Sequence, residues 1–210
     1  MKIAVIGYSG AGKSTLARAL AEGLGLPLLH LDQVHFLPGW AERDPEEARA
    51  LTAAFLERES WVIDGNYAGL LQERRMEEAD RIVFLDVCRG RCLLQALGRY
   101  WRHRGTVRDS AAPGCVEKLD GEFLRWLLWE SRSPAQRAGY AAIAGAWPEK
   151  LVRLRSRRQV RAFLRTICGA EGPAGEKGGG SHADHCPDGK HRPGGLLSGR
   201  GARPLTVHRI

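Results

Sequence analysis

Nine consecutive residues, Gly7-Tyr8-Ser9-Gly10-Ala11-Gly12-Lys13-Ser14-Thr15, meet every fixed position of the pattern G-x-x-x-x-G-K-[ST]. The flanks meet its structural condition as well. Lys2–Ile6 is an apolar run of strand length, and Leu16, Ala19, Leu20 and Leu24 recur at helical spacing behind the loop. A strand, a glycine turn and a helix in that order aim successive backbone N–H groups and the positive end of a helix at one point, which suits a phosphate. Gly7, Ser9, Gly10, Ala11, Gly12, Lys13, Ser14 and Thr15 are therefore the candidate triphosphate-binding residues. Lys13 would reach the β- and γ-phosphates, and the Ser14 hydroxyl would ligate Mg²⁺.

The rest of the chain repeats the alternation. Apolar runs at Leu28–Leu31, Trp61–Ile63, Arg81–Asp86 and Leu151–Leu154 are separated by helical patterns at Pro45–Glu59, Arg91–Trp101, Gly121–Trp129 and Pro134–Trp147, and Ser156–Ile167 closes the series. Strands alternating with helices predict parallel pairing and right-handed crossovers. The expected architecture is an α/β class, three-layer α/β/α P-loop NTPase fold with a five-stranded parallel sheet. Ligands of such sheets sit at the carboxyl ends of the strands, which singles out Asp32, Asp64 and Asp86 beside the P-loop. Trp126 and Trp129, three apart on one helix, are expected in the core, and Trp40 is a candidate to stack on an acceptor.

Composition limits the alternatives. No apolar run approaches the length that spans a bilayer, and the first residues lack the pattern of a signal peptide, so a cytoplasmic protein with no membrane partner is expected. The five cysteines are odd in number and scattered, which reads as free thiols. The formal net charge is +8. Six arginines and no acid lie between Arg89 and Arg108, and one lysine and six arginines between Lys150 and Arg165. Such clusters suit a polyanion, either a nucleotide's phosphates or a nucleic acid. Residues 169–201 hold eleven glycines and few large apolar groups. Residues 1–167 are accordingly read as the domain and 168–210 as a disordered tail, whose His182, His185, Cys186 and His191 have no fold to hold a metal.

A P-loop alone leaves kinase, GTPase, motor ATPase and switch open. No N-K-x-D follows a strand, and Asp64 and Asp86 are followed by Gly65 and Val87, not by a second acid that would activate water. That pattern leans towards group transfer. His30-Leu31-Asp32, Trp61-Val62-Ile63-Asp64-Gly65-Asn66-Tyr67, Ala79–Asp86 and Arg99-Tyr100-Trp101-Arg102-His103-Arg104-Gly105, taken with the P-loop, resemble the bacterial topology modulation protein (FlaR-like) group. That group is itself similar to adenylate kinase and other P-loop kinases, and the resemblance covers residues 1–166.

The resemblance implies a kinase-type fold with a short lid at about residues 99–120. It implies an ATP-dependent phosphotransferase with ATP and Mg²⁺ as cofactors and a small-molecule or nucleotide acceptor. Asp64 would hold Mg²⁺ through water, Asp32 at the end of the second strand would be the general base, and Arg99 would be the first lid arginine. Arg102, Arg104 and Arg108 would follow within the lid, and Arg132 and Arg137 would lie near its return. Gly65-Asn66-Tyr67 stands where adenylate kinases carry a glycine-aromatic-proline-arginine run, so AMP is not implied as acceptor. Two other classes stay open, a nucleic-acid-associated ATPase or regulator and a nucleotide-binding module without catalysis.

Lys13→Ala is expected to abolish binding or turnover of Mg·ATP while leaving the fold intact, because it removes charge stabilisation worth a few kcal/mol, on the order of what one preorganised donor supplies. Nucleotide titration of the folded variant checks this, and an unchanged affinity and turnover would refute the P-loop reading.

Overall fold

The computed structural model describes residues 1–103, 110–115 and 121–169, with every side chain among them except those of His103, Glu122, Phe123 and Trp126. The lid arginines Arg104 and Arg108, and the tail with its histidines, lie outside the described residues.

Strand β1 (Lys2–Gly7) is buried along almost its whole length, which requires a partner on each edge. It pairs in parallel with β5 (Trp61–Asp64) on one side and β6 (Arg81–Leu85) on the other. Strand β2 (Leu28–His30) extends the sheet beyond β5, and β7 (Leu151–Leu154) extends it beyond β6. The order β2-β5-β1-β6-β7 puts the P-loop strand at the centre of a five-stranded parallel sheet. Helices flank it, namely α1 (Lys13–Leu24), α3 (Pro45–Leu56), α4 (Gln72–Glu78), α5 (Arg89–His103), α6 (Gly121–Leu128), α7 (Pro134–Ala146) and α8 (Arg157–Cys168). This is the three-layer α/β/α P-loop fold that the alternation predicts.

Local chemistry sets the helix ends. Asp44 caps α3 by accepting from the Glu46 and Glu47 N–H groups, with Pro45 in the first turn. Ser133 and Ser156 cap α7 and α8 in the same way. Helix α8 reaches Cys168, whose sulfur packs where a Cβ on Gly23 of α1 would sit, at 2.8 Å.

Between β2 and α3 the chain departs from the expectation of one longer strand. The strand stops at His30, and Leu31–His35 form the short helix α2, so Asp32 stands in a first helical turn and not at a strand end. A two-residue hairpin follows, β3 (Phe36–Leu37) with β4 (Ala41–Glu42). Leu31 and Val34 are both buried, and a helical turn points both inward where a strand would point successive residues apart.

Two cores result. The large one joins Ile3, Val5, Leu16, Leu20, Trp61, Ile63, Ile82 and Phe84 with Tyr140 and Ile143 of α7. A small one joins Phe36 and Trp40 with Ala111, Ala112 and Cys115. The Trp40 N–H donates to Cys115 Sγ at 3.3 Å, and the Cys115 thiol donates to the Leu37 carbonyl at 3.4 Å. Trp40 is therefore packed beneath the surface against Phe36 (5.2 Å between ring centroids). Trp129, expected in the core, is 62% exposed. Among the described residues no helix is long and apolar enough to cross a membrane.

Helix α4 gives no apolar stripe in the sequence Gln-Glu-Arg-Arg-Met-Glu-Glu, yet Arg75 is fully buried. Its guanidinium donates to three carbonyls of the segment after β5, from Nε to Leu70 (2.8 Å), Nη2 to Tyr67 (2.6 Å) and Nη1 to Gly65 (3.3 Å). Burial pulls the pKa of Arg75 down to about 10, which leaves it cationic at neutral pH. A guanidinium spreads its donors over a rigid planar fork and so reaches three separated carbonyls at once, whereas an ammonium gathers its three donors at one point.

Arg75→Met and Arg75→Lys should each destabilise by about 3 kcal/mol or more, because buried carbonyls lose their donors. For a domain of this size that is a fall in Tm of roughly 10 °C. Calorimetry checks this; a Tm within about 2 °C of wild type would show that the segment holds itself.

Candidate active site

The P-loop leaves β1 through two close approaches. Gly7 (φ +145°) has the Leu85 carbonyl 2.6 Å from where a Cβ would stand, and at Gly10 (φ +73°) the Cys92 carbonyl is 2.5 Å from that point. A side chain at either position collides with backbone, so these glycines press the loop onto the end of β6 and the first turn of α5. Gly12 occupies the left-handed N-cap of α1, and the N–H groups of Lys13, Ser14 and Thr15 open that helix without intrahelical acceptors. Ser9 and Ala11 are buried in the loop, Ser14 is partly buried and Thr15 is exposed.

Lys13 Nζ donates to the Tyr8 carbonyl at 3.2 Å, folding the side chain back over the loop. Burial lowers its pKa, while Asp64 and then Asp32 hold it up and Arg99 pushes it down. Four residues named from the sequence, Lys13, Asp64, Asp32 and Arg99, are thus one electrostatic cluster. They come from α1, the end of β5, the first turn of α2 and the last third of α5.

Asp64 closes β5 as a buried carboxylate. Its Oδ2 accepts from His30 Nδ1 at 2.9 Å, and an ionised carboxylate, which only accepts, fixes the proton on that nitrogen. Its Oδ1 is buried with no hydrogen-bond partner. A buried carboxylate oxygen left open at the end of the strand next to β1 fits a hard divalent cation, which takes oxygen ligands and retains water. Ser14 and Asp64 are the residues that would hold it.

Asp32 accepts from the Tyr67 hydroxyl at 2.8 Å. Burial raises the pKa of that hydroxyl well above 10, and Asp32 raises it further, so Tyr67 stays a donor at all ordinary pH. The Tyr67 ring lies 4.6 Å from that of His35. Arg132 sits on the opposite flank of the P-loop. Its guanidinium lies 3.7 Å from the centroid of the Tyr8 ring and donates to the Val87 carbonyl and to Cys92 Sγ. Arg137 is exposed and acts on Tyr8 through its charge. Asp86 pairs with Arg155 at 3.4 Å, and Arg102 turns back to the Gly98 carbonyl at 3.1 Å.

Two functional contacts escaped the sequence reading. Asn66 binds the P-loop backbone with its side-chain amide, the Gly7 N–H donating to Oδ1 at 3.0 Å and Nδ2 donating to the Gly7 carbonyl at 2.8 Å. Tyr67, next in sequence, carries the bond to Asp32. The signal was present in the position of Asp64-Gly65-Asn66-Tyr67 directly after a central strand, where an amide side chain is well suited to replace backbone pairing. His30 likewise reads as a strand residue until its partner Asp64 is placed beside it by the β2–β5 register.

No protein-family model matches the chain, and no curated protein matches it. Among solved structures the chain is similar to shikimate kinase from Bacteroides thetaiotaomicron, at 22% identity and a TM-score of 0.47 over 80% of this chain and 96% of that one. It is similar to a gluconokinase from Sinorhizobium meliloti 1021, at 19% identity and a TM-score of 0.44 over 80% of this chain and 93% of that one. It is also similar to shikimate kinase from Acinetobacter baumannii in complex with shikimate, at 18% identity and a TM-score of 0.48 over 81% of this chain and 94% of that one.

Proposed function

We propose that this chain is a cytoplasmic ATP-dependent phosphotransferase that moves the γ-phosphoryl group of Mg·ATP to a hydroxyl of a small-molecule acceptor, in a domain spanning residues 1–167. We place it in the topology modulation protein (FlaR-like) group on the motifs quoted above. The observation that carries the reading is the cluster at the strand ends. A desolvated Lys13 ammonium lies within the field of two carboxylates, and one of them, Asp64, keeps a buried oxygen open. A water-activating ATPase places its second acid directly after the metal-binding one, whereas here the second carboxylate, Asp32, stands on a separate element, where an acceptor could reach it.

The division of labour follows from position. Backbone N–H groups of residues 10–15 and Lys13 hold the β- and γ-phosphates. Ser14 and Asp64 hold the cation, which neutralises phosphate charge when bound. Asp32 faces the acceptor and takes its hydroxyl proton as the bond from γ-phosphorus to the acceptor oxygen forms and the bond to the β-phosphate bridging oxygen breaks. Tyr67 holds one Asp32 oxygen in place. Arg99 stands near Lys13 to meet the charge on the transferring group, and Arg132 adds positive potential on the Tyr8 flank. Screening nucleosides, nucleotides, sugars and small acids for acceptor-dependent ADP release tests the proposal directly.

One observation favours a second reading, a nucleic-acid-associated ATPase. Arg157, Arg158, Arg161 and Arg165 are all exposed on α8. Tight, ATP-dependent binding of duplex DNA that weakens steeply with salt, together with no acceptor in the screen, would support it over phosphoryl transfer.

Asp64→Asn should weaken the Mg²⁺ dependence and every triphosphate-consuming activity. Asp32→Asn should leave ATP affinity nearly intact and lower the transfer rate by about a hundredfold, the usual effect of a lost general base. Steady-state kinetics at varied Mg²⁺ separates the two, and equal loss of ATP affinity in both would remove Asp32 from the acceptor side.

A further inference from the structure

At the end of the sheet, β1 and β5 part company. Their backbone pairing runs from Lys2 opposite Trp61 to Val5 opposite Asp64, and the Gly65 N–H adds one more bond to the Val5 carbonyl at 3.1 Å. Two residues further along, β1 is still an extended strand, but its β5-side neighbour has turned towards Tyr67. Gly7 would then face that side with an unpaired N–H and an unpaired carbonyl, in a segment whose Gly7 and Tyr8 are buried.

The Asn66 amide supplies both missing partners. It accepts from the Gly7 N–H at 3.0 Å and donates to the Gly7 carbonyl at 2.8 Å, which is the exchange of bonds that a paired strand residue would make. On the other edge Gly7 is already paired with Leu85 of β6. Gly7 is thus fixed from both sides, and it is the residue from which the phosphate loop starts. Asn66 is itself held. Its carbonyl accepts from Gln72 Nε2 at 3.4 Å, and the buried guanidinium of Arg75 takes the carbonyls of Gly65 and Tyr67 on either side of it.

We infer that Asn66 is a positioning residue for triphosphate binding, a side-chain strand substitute that fixes the Gly7 end of the P-loop in the conformation that receives the phosphates. The inference rests on the P-loop binding Mg·ATP, and it assigns Asn66 to the nucleotide side although its neighbour Tyr67 serves Asp32. An unclamped Gly7 would sample the wide range open to glycine at positive φ, and each binding event would carry the cost of restoring one conformation.

The test is calorimetric binding of the non-hydrolysable analogue Mg·AMP-PNP to the full chain, well below the Tm of each variant. Asn66→Ala should bind at full stoichiometry with a Kd raised by about tenfold or more, the loss expected when a bound geometry is no longer preorganised. Working well below each Tm keeps reversible unfolding from raising the apparent Kd, and full stoichiometry excludes an irreversibly inactive fraction. Arg49→Ala, which removes the bond from Arg49 Nε to the Gly69 carbonyl of the same loop (3.0 Å) and none to Gly7, should keep its Kd within about twofold. If Asn66→Ala folds poorly, Asn66→Leu fills the same space without either bond and gives the same decision. Hydrogen exchange adds a second readout, since the Gly7 amide should be protected in the wild type and should exchange faster in the variant. A Kd for the Asn66 variant within about twofold of wild type would overturn the inference. Absence of AMP-PNP binding by the wild type would instead overturn the nucleotide-binding reading beneath it.

Discussion

The end of β1 is the point on which the ligand edge depends. There the chain must leave the middle of a sheet, pass between two neighbours and turn into a helix within five residues. The Leu85 carbonyl on one side leaves no room for a Cβ at Gly7, and Asn66 takes up the backbone groups on the other. With that exit fixed, the direction of α1 is fixed too, and Lys13 and Ser14 are delivered to the ends of β5 and β2. Asp64 at the end of β5 and Asp32 in the helical turn just past β2 both stand at that edge.

What gathers around Lys13 is a balance of opposing charges. Two carboxylates favour the ammonium, while burial and Arg99 oppose it. Because the region is partly dry, each charge acts more strongly than it would in water. The acids are not interchangeable, since each has a different hydrogen-bond partner. His30 takes one oxygen of Asp64 and leaves the other open, and the Tyr67 hydroxyl holds one oxygen of Asp32. A shared sheet edge can therefore support two distinct tasks for the same functional group.

The sequence made the P-loop, the five strands and most of the helices legible, because each depends on local pattern: glycine spacing, apolar runs and caps. Asp64 was legible for the same reason, as an acid directly after an apolar run. Long-range pairing was not. Arg75 reads as one charge in a polar helix, and only the fold reveals that it is surrounded by carbonyls whose partner it must be. Asn66 reads as a turn residue until Gly7 lies opposite. Trp129 failed in the other direction, since helical spacing beside Trp126 gives no information on which face of a short helix meets the core. Asp32 was found at the correct edge but in the wrong element, because a single helical turn is too short to leave a periodic trace.

The small core under the β3–β4 hairpin differs from the main one in scale. Phe36 and Trp40 meet Ala111, Ala112 and Cys115, and two of the polar ties across them run through one sulfur. A cluster of that size opens at a much smaller free energy than a sheet buried on both faces. The amides of the hairpin and of residues 110–115 should therefore exchange with solvent sooner than those of the central strands.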